Sequence, residues 1–134
     1  MAQEVLHNLK TRKMKGDVIQ IDLSKAYDRV CWLYLRMLLT HLGFGIDFIR
    51  WIMACITTIS FLVLINGSTS SFFQEGRGLR QGCLLSPSLF LLVVKKLSRY
   101  IDHCKKRGGF KGVPISNALY ISHILFVDGI LIFL

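Results

Sequence analysis

The sequence predicts a mixed α+β domain in which an antiparallel sheet accompanies several helices. Short apolar runs rich in β-branched residues, of which 18–21 is the first, are typical of buried strands. Longer segments repeat their apolar residues every three to four positions, as 87–107 does, and this period is typical of amphipathic helices. Two dipeptides that favour tight turns between antiparallel strands, Asn66-Gly67 and Asp128-Gly129, are each flanked by apolar residues.

The first half of the chain is predicted to contain three helices and one strand. We expect a helix over 2–13, a strand over 18–22, and helices over 24–42 and 47–58. Gly16-Asp17 separates the first helix from the strand, because both residues favour turns. Ser24 is a suitable N-cap for the long helix, and Gly43 is a natural C-cap.

The second half is predicted to hold a hairpin, a long helix and a terminal pair of strands. We expect strands over 60–65 and 70–74, a loop over 75–82, a helix over 87–107, an irregular segment or short strand over 110–117, and strands over 119–127 and 130–134. Pro87 suits the first turn of a helix, where an amide hydrogen is not needed. The last apolar run continues to the end of the chain, which we interpret as the unfinished strand of a truncated domain.

Charge and hydropathy limit the class of partner. The net charge of +9 favours a polyanion, although a solvated helix face explains a basic cluster almost as well. The two clusters are Lys10, Arg12, Lys13 and Lys15, and Lys95, Lys96, Arg99, Lys105, Lys106, Arg107 and Lys111. No apolar run reaches the roughly 20 residues that span a bilayer, so we expect no membrane partner.

The four cysteines point to a reducing compartment. They stand at positions 31, 55, 83 and 104, without a C-x-x-C pair or histidines at zinc-ligand spacing. The first residues lack the basic and apolar regions of a secretory signal. We therefore expect an intracellular protein of the nucleus or cytoplasm.

Asp22 lies where the first predicted strand opens onto the surface. A carboxylate in that position is held by a rigid element and still faces solvent, as a metal ligand requires. Capping the following helix is an equally good explanation, because aspartate is a favoured cap residue. The residues alone leave both alternatives open.

Three segments together resemble the reverse transcriptase domain of LINE-type (non-LTR) retrotransposons. Asp22–Asp28 is similar to the first catalytic motif of that family, and Gly78–Phe90 is similar to its nucleotide- and template-contacting motif. Phe126–Gly129 resembles the Phe-Ala-Asp-Asp metal box in an altered form. Ile65–Gly67 and Ile121–His123 also resemble short segments of that family, and all five segments occur in the family's order.

The resemblance implies the palm of a right-hand polymerase, an antiparallel sheet backed by helices. Residues 1–134 would form a partial palm domain without fingers or thumb. The implied activity is RNA-directed DNA synthesis on a DNA primer and an RNA template, with deoxynucleotide triphosphates as substrates. Asp22 and Asp128 would be carboxylate ligands of two Mg²⁺ ions.

The resemblance also assigns residues of the first motif to the incoming nucleotide. Lys25 and Ala26 match the turn beneath the triphosphate, where backbone amides can donate hydrogen bonds. Tyr27 matches the bulky aromatic residue that rejects a ribose 2′-hydroxyl, and a core aromatic is an equally good interpretation.

The second motif carries three further matches. Gln81 matches a residue that contacts the incoming nucleotide, and Gly82 matches the glycine that lets the backbone approach the template pair. Arg80 matches a basic residue beside them, although a surface charge explains it as well.

The sequence departs from the family at two of these places. Gly129 stands where the metal box has its second aspartate, and Leu84 stands where the family usually has proline. Because glycine supplies no ligand, we expect a degenerate polymerase whose activity is lost or nearly lost. The alternatives are a non-catalytic, basic nucleic-acid-binding fragment and a small α+β fragment that needs the missing polymerase segments to stay soluble.

Overall fold

The computed structural model describes residues 17–116, 119–126 and 129–134. These residues form three helices: α1 (Trp32–His41), α2 (Ile46–Thr57) and α3 (Leu85–Lys106). They also form nine strands: β1 (Val18–Asp22), β2 (Ser60–Phe61), β3 (Leu64–Ile65), β4 (Ser68–Thr69), β5 (Phe73–Gln74), β6 (Val113–Ser116), β7 (Leu119–Ile121), β8 (His123–Leu125) and β9 (Gly129–Phe133). The predicted α+β class is confirmed, and the predicted helix over 2–13 lies outside the described residues.

The chain divides into two compact units. The sheet unit consists of the described residues in 1–24 and 94–134, and the helical unit consists of Lys25–Val93.

A three-stranded antiparallel sheet organises the sheet unit. Its strand order is β1-β9-β8, and its register pairs Val18 with Phe133 and Asp22 with Gly129. The strands β6 and β7 form a separate antiparallel pair. Because successive side chains of a strand point to opposite faces, β9 sends one set of apolar residues into the interior. The resulting core consists of Val113, Leu131 and Phe133, with Ile121 and Ile124 packed against it.

The helical unit is built on the packing of α1 against α2. Both helices carry buried residues at the three- and four-residue spacing that lines one face. The buried apolar residues of this unit are Val30, Leu35, Leu38, Leu39, Ile49, Ile52, Ile56, Leu79, Leu89 and Phe90. The bounds of α2 agree with the predicted helix over 47–58 to within one residue at each end.

The predicted helix over 24–42 is wrong in its first third. Residues 24–29 form turns, and α1 begins only at Trp32. Lys25 has a φ of +54°, a left-handed conformation that a right-handed helix does not contain. Ser24 is therefore not a helix cap.

Long-range hydrogen bonds explain this difference. The carbonyl oxygen of Tyr27 accepts from the amide of Leu79 at 2.8 Å, and that of Val30 accepts from the amide of Gly78 at 2.8 Å. In a continuous helix both carbonyl groups would accept from amides four residues ahead. Bonds to a loop about fifty residues away replace the helical bonds.

The hairpin predicted at Asn66-Gly67 is confirmed. Ile65 pairs with Ser68, and both turn residues have positive φ angles of 51° and 82°, as a two-residue hairpin loop requires. The single strand expected over 60–65 is wrong, because it is split into β2 and β3. The returning strand expected over 70–74 is present only as β5, which pairs with β2, and β4 precedes it. At the break, the Ser70 hydroxyl accepts a hydrogen bond from the amide of Val63 at 2.9 Å.

Helix α3 is the longest described element, with 22 residues. It agrees with the predicted helix over 87–107, and Pro87 lies in its first turn. At the other end, Gly108 adopts a φ of +82° and its amide donates to the carbonyl oxygen of Lys105 at 3.0 Å, which is a glycine-type helix ending. Within the described residues, no helix has the length and hydropathy needed to cross a bilayer.

The C-terminal strands follow the prediction with one correction. The run expected as one strand over 119–127 is interrupted at Ser122, which separates β7 from β8. The Ser122 carbonyl oxygen accepts from the amide of Phe133 at 2.9 Å, and β8 pairs with β9. The run expected over 130–134 corresponds to β9.

Candidate functional site

Asp22 is the last residue of β1, and its register partner is Gly129, the first residue of β9. Its side chain is exposed, so a carboxylate held by a paired strand faces solvent, as expected for a metal ligand. The expectation that this strand is buried is wrong, because all five residues of β1 are exposed. Asp128 lies outside the described residues, so its proximity to Asp22 stays a prediction. The sheet does bring Asp22 opposite the residue that follows Asp128 in the sequence.

A shallow depression adjoins Asp22 within the sheet unit. It is lined by Gln20, Ile21, Asp22, Phe126, Gly129, Ile130 and Leu131. The amide of Phe126 donates to the carbonyl oxygen of Gly129 at 2.8 Å, so the ends of β8 and β9 are tied beside this depression. Asp22 is the only charged residue that lines the depression, so a cation held there would be bound through its carboxylate.

Gly129 is a position that can accept a side chain. A Cβ atom built on it lies 3.4 Å from the carbonyl oxygen of Ile21, which is an ordinary van der Waals contact. Its φ is not in the left-handed region that favours glycine. The absence of a carboxylate at this position is therefore not imposed by the backbone.

The donor set is incomplete in the part of the chain that the structure describes. Among those residues, no three histidine, cysteine, aspartate or glutamate side chains lie close enough together to hold a metal ion. Asp22 fits Mg²⁺ chemically, because Mg²⁺ prefers carboxylate oxygens and retains several waters. Gly129 contributes no ligand.

In the helical unit, the two segments expected to contact nucleotide are joined to each other. The indole Nε1 of Trp32 donates to the carbonyl oxygen of Gly78 at 2.6 Å. A Cβ atom on Gly78 would lie 3.0 Å from the carbonyl oxygen of Asp28, and its φ is +103°. Together with the amide bonds of Gly78 and Leu79, these contacts hold the turn at 25–30 against the start of the second motif.

Tyr27 has the surroundings of a packed aromatic residue. It is half-buried, and its ring stacks on that of Phe90 at a centroid distance of 4.6 Å and an interplanar angle of 21°. This contact favours the core-aromatic interpretation without testing the nucleotide role. Of its neighbours, Ala26 is half-buried and Lys25 is exposed.

Arg80, Gln81 and Gly82 are all exposed, as residues that contact a ligand must be. Gly82 has a φ of +84°, and a Cβ atom there would meet nothing within 4 Å. Its backbone conformation, rather than a close neighbour, therefore explains the glycine in this structure. The nucleotide and template roles of these three residues stay predictions.

Cys83 has an altered acidity. The amide of Leu85 at the start of α3 stabilises the thiolate and lowers the pKa of Cys83 below its usual value of 9.0. Partial desolvation opposes this effect, and the charge of Arg80 adds to it. The lowered pKa means that a thiolate forms more readily at Cys83 than at an ordinary cysteine.

The sequence did not identify the role of Trp32 or Gly78. Trp32 was one of several aromatic residues, and Gly78 was one of three glycines in a loop. A positive φ is the usual reason for glycine in such a loop. The residues around Trp32 do not indicate that its indole bonds to Gly78, because the two residues are 46 positions apart in the sequence.

Comparison with known proteins gives a family. A model described as reverse transcriptase (RNA-dependent DNA polymerase) matches residues 2–134. The transposon TX1 uncharacterized 149 kDa protein of Xenopus laevis is 32% identical over 95 residues, which are 71% of this chain and 7% of that protein. The retrovirus-related Pol polyprotein from type-1 retrotransposable element R2 of Popillia japonica is 29% identical over 131 residues, 94% of this chain and 20% of that protein.

A third relative is an uncharacterized mitochondrial protein of Arabidopsis thaliana, 40% identical over 68 residues, 50% of this chain and 56% of that protein. The chain thus spans between 7% and 56% of the lengths of these three relatives. The two relatives named for a transposon and a retrotransposable element agree with the predicted resemblance to LINE-type (non-LTR) elements. Since the family model covers nearly every residue, the chain belongs to the reverse transcriptase (RNA-dependent DNA polymerase) family.

Proposed function

We propose that residues 1–134 are the palm part of a reverse transcriptase in which nucleotide addition is lost or nearly lost. Family membership and the antiparallel β1-β9-β8 sheet support the palm assignment. The proposed partners are an RNA template, a DNA primer and deoxynucleotide triphosphates, and the proposed location is intracellular. Polymerase segments outside these residues would cover the exposed apolar side chains, such as Leu33 and Trp51.

The observation that carries the proposal is the pairing of Asp22 with Gly129. Asp22 and Asp128 are the proposed Mg²⁺ ligands, and Gly129 occupies the place of a further carboxylate. Bound Mg²⁺ supplies stabilisation of the negative charge that develops on the attacking and leaving oxygens. With one carboxylate absent, the chain would hold Mg²⁺ less well, so the negative charge on the reacting oxygens would be stabilised less.

The other proposed roles concern the nucleotide. Backbone amides at Lys25 and Ala26 hold the triphosphate, and Tyr27 excludes a ribose 2′-hydroxyl. Gln81 contacts the incoming nucleotide, Gly82 admits the template pair, and Arg80 contributes positive charge. The 2.8 Å bond between Leu79 and Tyr27 supports this assignment, because it fixes the two motifs against each other.

Loss of one ligand carboxylate is expected to remove several kcal/mol of transition-state stabilisation, which corresponds to a rate loss of more than about a hundredfold. The test is primer extension on an RNA template with Mg²⁺, using the unmodified chain, Gly129→Asp and Gly129→Asn. The two variants have side chains of nearly the same size, and aspartate alone restores the charge. We expect no measurable synthesis by the unmodified chain. When these residues are placed in a full-length polymerase that supplies fingers and thumb, we expect synthesis to rise only in Gly129→Asp, and Asp22→Asn in that background to abolish the gain.

Absent synthesis has two possible causes, a missing metal ligand and a chain that cannot hold primer and template. A metal-binding measurement distinguishes them. Mn²⁺, a paramagnetic substitute for Mg²⁺, is titrated into each variant without nucleic acid. Tighter binding by Gly129→Asp than by Gly129→Asn supports the metal assignment even where neither extends a primer. Equal Mn²⁺ affinities, or rapid synthesis by the unmodified chain, contradict the proposal.

A further inference from the structure

The second half of α3 carries a continuous basic face. At 3.6 residues per turn, its lysine, arginine and histidine residues other than Lys105 fall within an arc of about 120° around the helix axis. They are Lys95, Lys96, Arg99, His103, Lys106 and Arg107, and all six are exposed. Arg107 continues the helical path, because its amide donates to the carbonyl oxygen of His103 at 3.1 Å. We call these six residues the α3 basic face.

The opposite side of the same helix half is in contact with the strands of the sheet unit. The Ser98 hydroxyl lies 2.7 Å from Nε2 of His123, and the ammonium group of Lys105 donates to the carbonyl oxygen of Tyr120 at 3.3 Å. Ile101, on the same side, is only 7% exposed. The α3 basic face is therefore directed away from β7 and β8.

Negative charge is scarce in this part of the chain. Asp102 is the only acidic residue between Glu75 and Asp128. It lies outside the α3 basic face, and its carboxylate accepts from the Ser122 hydroxyl at 3.3 Å. Asp102 stands three residues after Arg99 and four before Lys106, but one carboxylate does not balance five lysines and arginines, so the α3 basic face keeps an excess of positive charge.

Tyr100 borders the α3 basic face, and its side chain is 64% exposed. It is the only large apolar or aromatic residue of 94–107 that is exposed to this degree. An amphipathic helix that lies in a membrane surface needs a whole apolar face. Here the apolar side is already packed, so the chemistry favours a polyanion in solution over a lipid surface.

We propose that the α3 basic face binds the phosphate backbone of single-stranded nucleic acid, with Tyr100 stacking on a base. From Lys95 to Arg107 the helix rises about 18 Å, at about 1.5 Å per residue. The five lysines and arginines of the face set an upper limit of five on the phosphates that it can neutralise. Aromatic stacking beside a basic surface is the usual arrangement for binding single strands without sequence preference.

This surface is separate from the proposed metal site and does not depend on polymerase activity. Binding is therefore measured in EDTA, by fluorescence anisotropy of a labelled RNA of about 12 nucleotides and mixed sequence. The unmodified full chain is expected to bind with a log–log salt slope of about −3.5, from five phosphate contacts at about 0.7 each. A slope near zero contradicts the proposal.

The key variant is Arg99→Gln with Lys106→Gln, which removes two charges from the α3 basic face. We expect its slope to fall to about −2.1 and its affinity at about 0.1 M salt to fall roughly 25-fold. The matched control is Arg36→Gln with Arg77→Gln, which removes two exposed charges from the helical unit. Equal losses in the two double variants would mean that net charge alone attracts RNA, and would overturn the proposal.

Two further measurements test the face and the aromatic contact. Lys95→Gln with Lys96→Gln removes a different pair from the same face and is expected to behave as the key variant does. Tyr100→Leu is expected to weaken single-strand binding at least about fivefold, leave the salt slope unchanged and not weaken duplex binding. Stronger binding to vesicles of anionic lipid than to RNA, or no effect of either pair, overturns the proposal.

Discussion

The indole of Trp32 and the carbonyl group of Gly78 form a hydrogen bond of 2.6 Å between residues 46 positions apart. Gly78 also donates its own amide to the carbonyl oxygen of Val30 at 2.8 Å. Both polar groups of one glycine are therefore bonded to the segment that follows the first motif. This arrangement connects the two motifs of the helical unit through the backbone.

Replacement of Trp32 by phenylalanine tests the first of these bonds. Trp32→Phe keeps an aromatic ring but leaves the Gly78 carbonyl without its indole donor. We expect the free energy of unfolding to fall by about 1 kcal/mol, the usual net value of such a hydrogen bond. Urea denaturation measures this as a lower midpoint with an unchanged slope.

The matched control for that experiment is Trp51→Phe. Trp51 is 66% exposed, and no hydrogen bond of its indole is found within the described residues. Its replacement is expected to leave the midpoint nearly unchanged. If both variants shift the midpoint equally, the bond to Gly78 contributes nothing measurable.

Gly78→Ala should be far more destabilising than Gly76→Ala. The added methyl group at position 78 would meet the Asp28 carbonyl oxygen at 3.0 Å and Cα at 3.1 Å, at a φ of +103°. A Cβ atom on Gly76 has no atom within 4 Å. We expect a loss of about 2 kcal/mol or more at 78 and a change within about 0.5 kcal/mol at 76, measured by thermal or urea unfolding.

The fold could be predicted wherever local chemistry decides it. Asn66-Gly67 sets its own turn, and Pro87 with the apolar period of 87–107 specifies α3. The helix expected from Ser24 fails because Tyr27 and Val30 bond to a distant loop. A single sequence contains no local signal for such a tertiary competition.

The candidate site could be predicted by motif, although its register could not. The family resemblance identified Asp22 and Gly129, and β pairing brings them opposite each other. A shift of one residue would reverse the face of every side chain in β1, and nothing in 18–22 alone excludes that shift. The core of the sheet unit contains Leu131 and Phe133, two residues apart in β9, and so fixes which face of β9 is turned inward.

Cys83 is expected to react with iodoacetamide at a lower pH in the folded protein than in the unfolded chain. The amide of Leu85 lowers the pKa of the Cys83 thiol, so the folded protein forms the reactive thiolate at a lower pH. Alkylation by iodoacetamide, followed by mass spectrometry from neutral to alkaline pH, measures the rate at Cys83. The midpoint of the rate profile should lie lower in the folded protein than in urea.

The chain unfolded in urea provides the control, because the effect on Cys83 depends on the folded start of α3. Identical Cys83 profiles in the folded protein and in urea would show that the Leu85 amide does not stabilise the thiolate.

The contact between α3 and β8 depends on the polar groups around His123. Its side chain is only 9% exposed, and its two ring nitrogens lie 2.7 Å from the Ser98 hydroxyl and 2.9 Å from the Ser122 hydroxyl. Ser98→Ala leaves one buried ring nitrogen without a partner, so we expect a loss of about 1–3 kcal/mol in the free energy of unfolding. Ser88→Ala makes the same chemical change at an exposed position of α3 and should cost much less. Urea unfolding midpoints of the two variants are compared. A shift for Ser98→Ala no larger than the shift for Ser88→Ala would mean that His123 does not need the Ser98 hydroxyl.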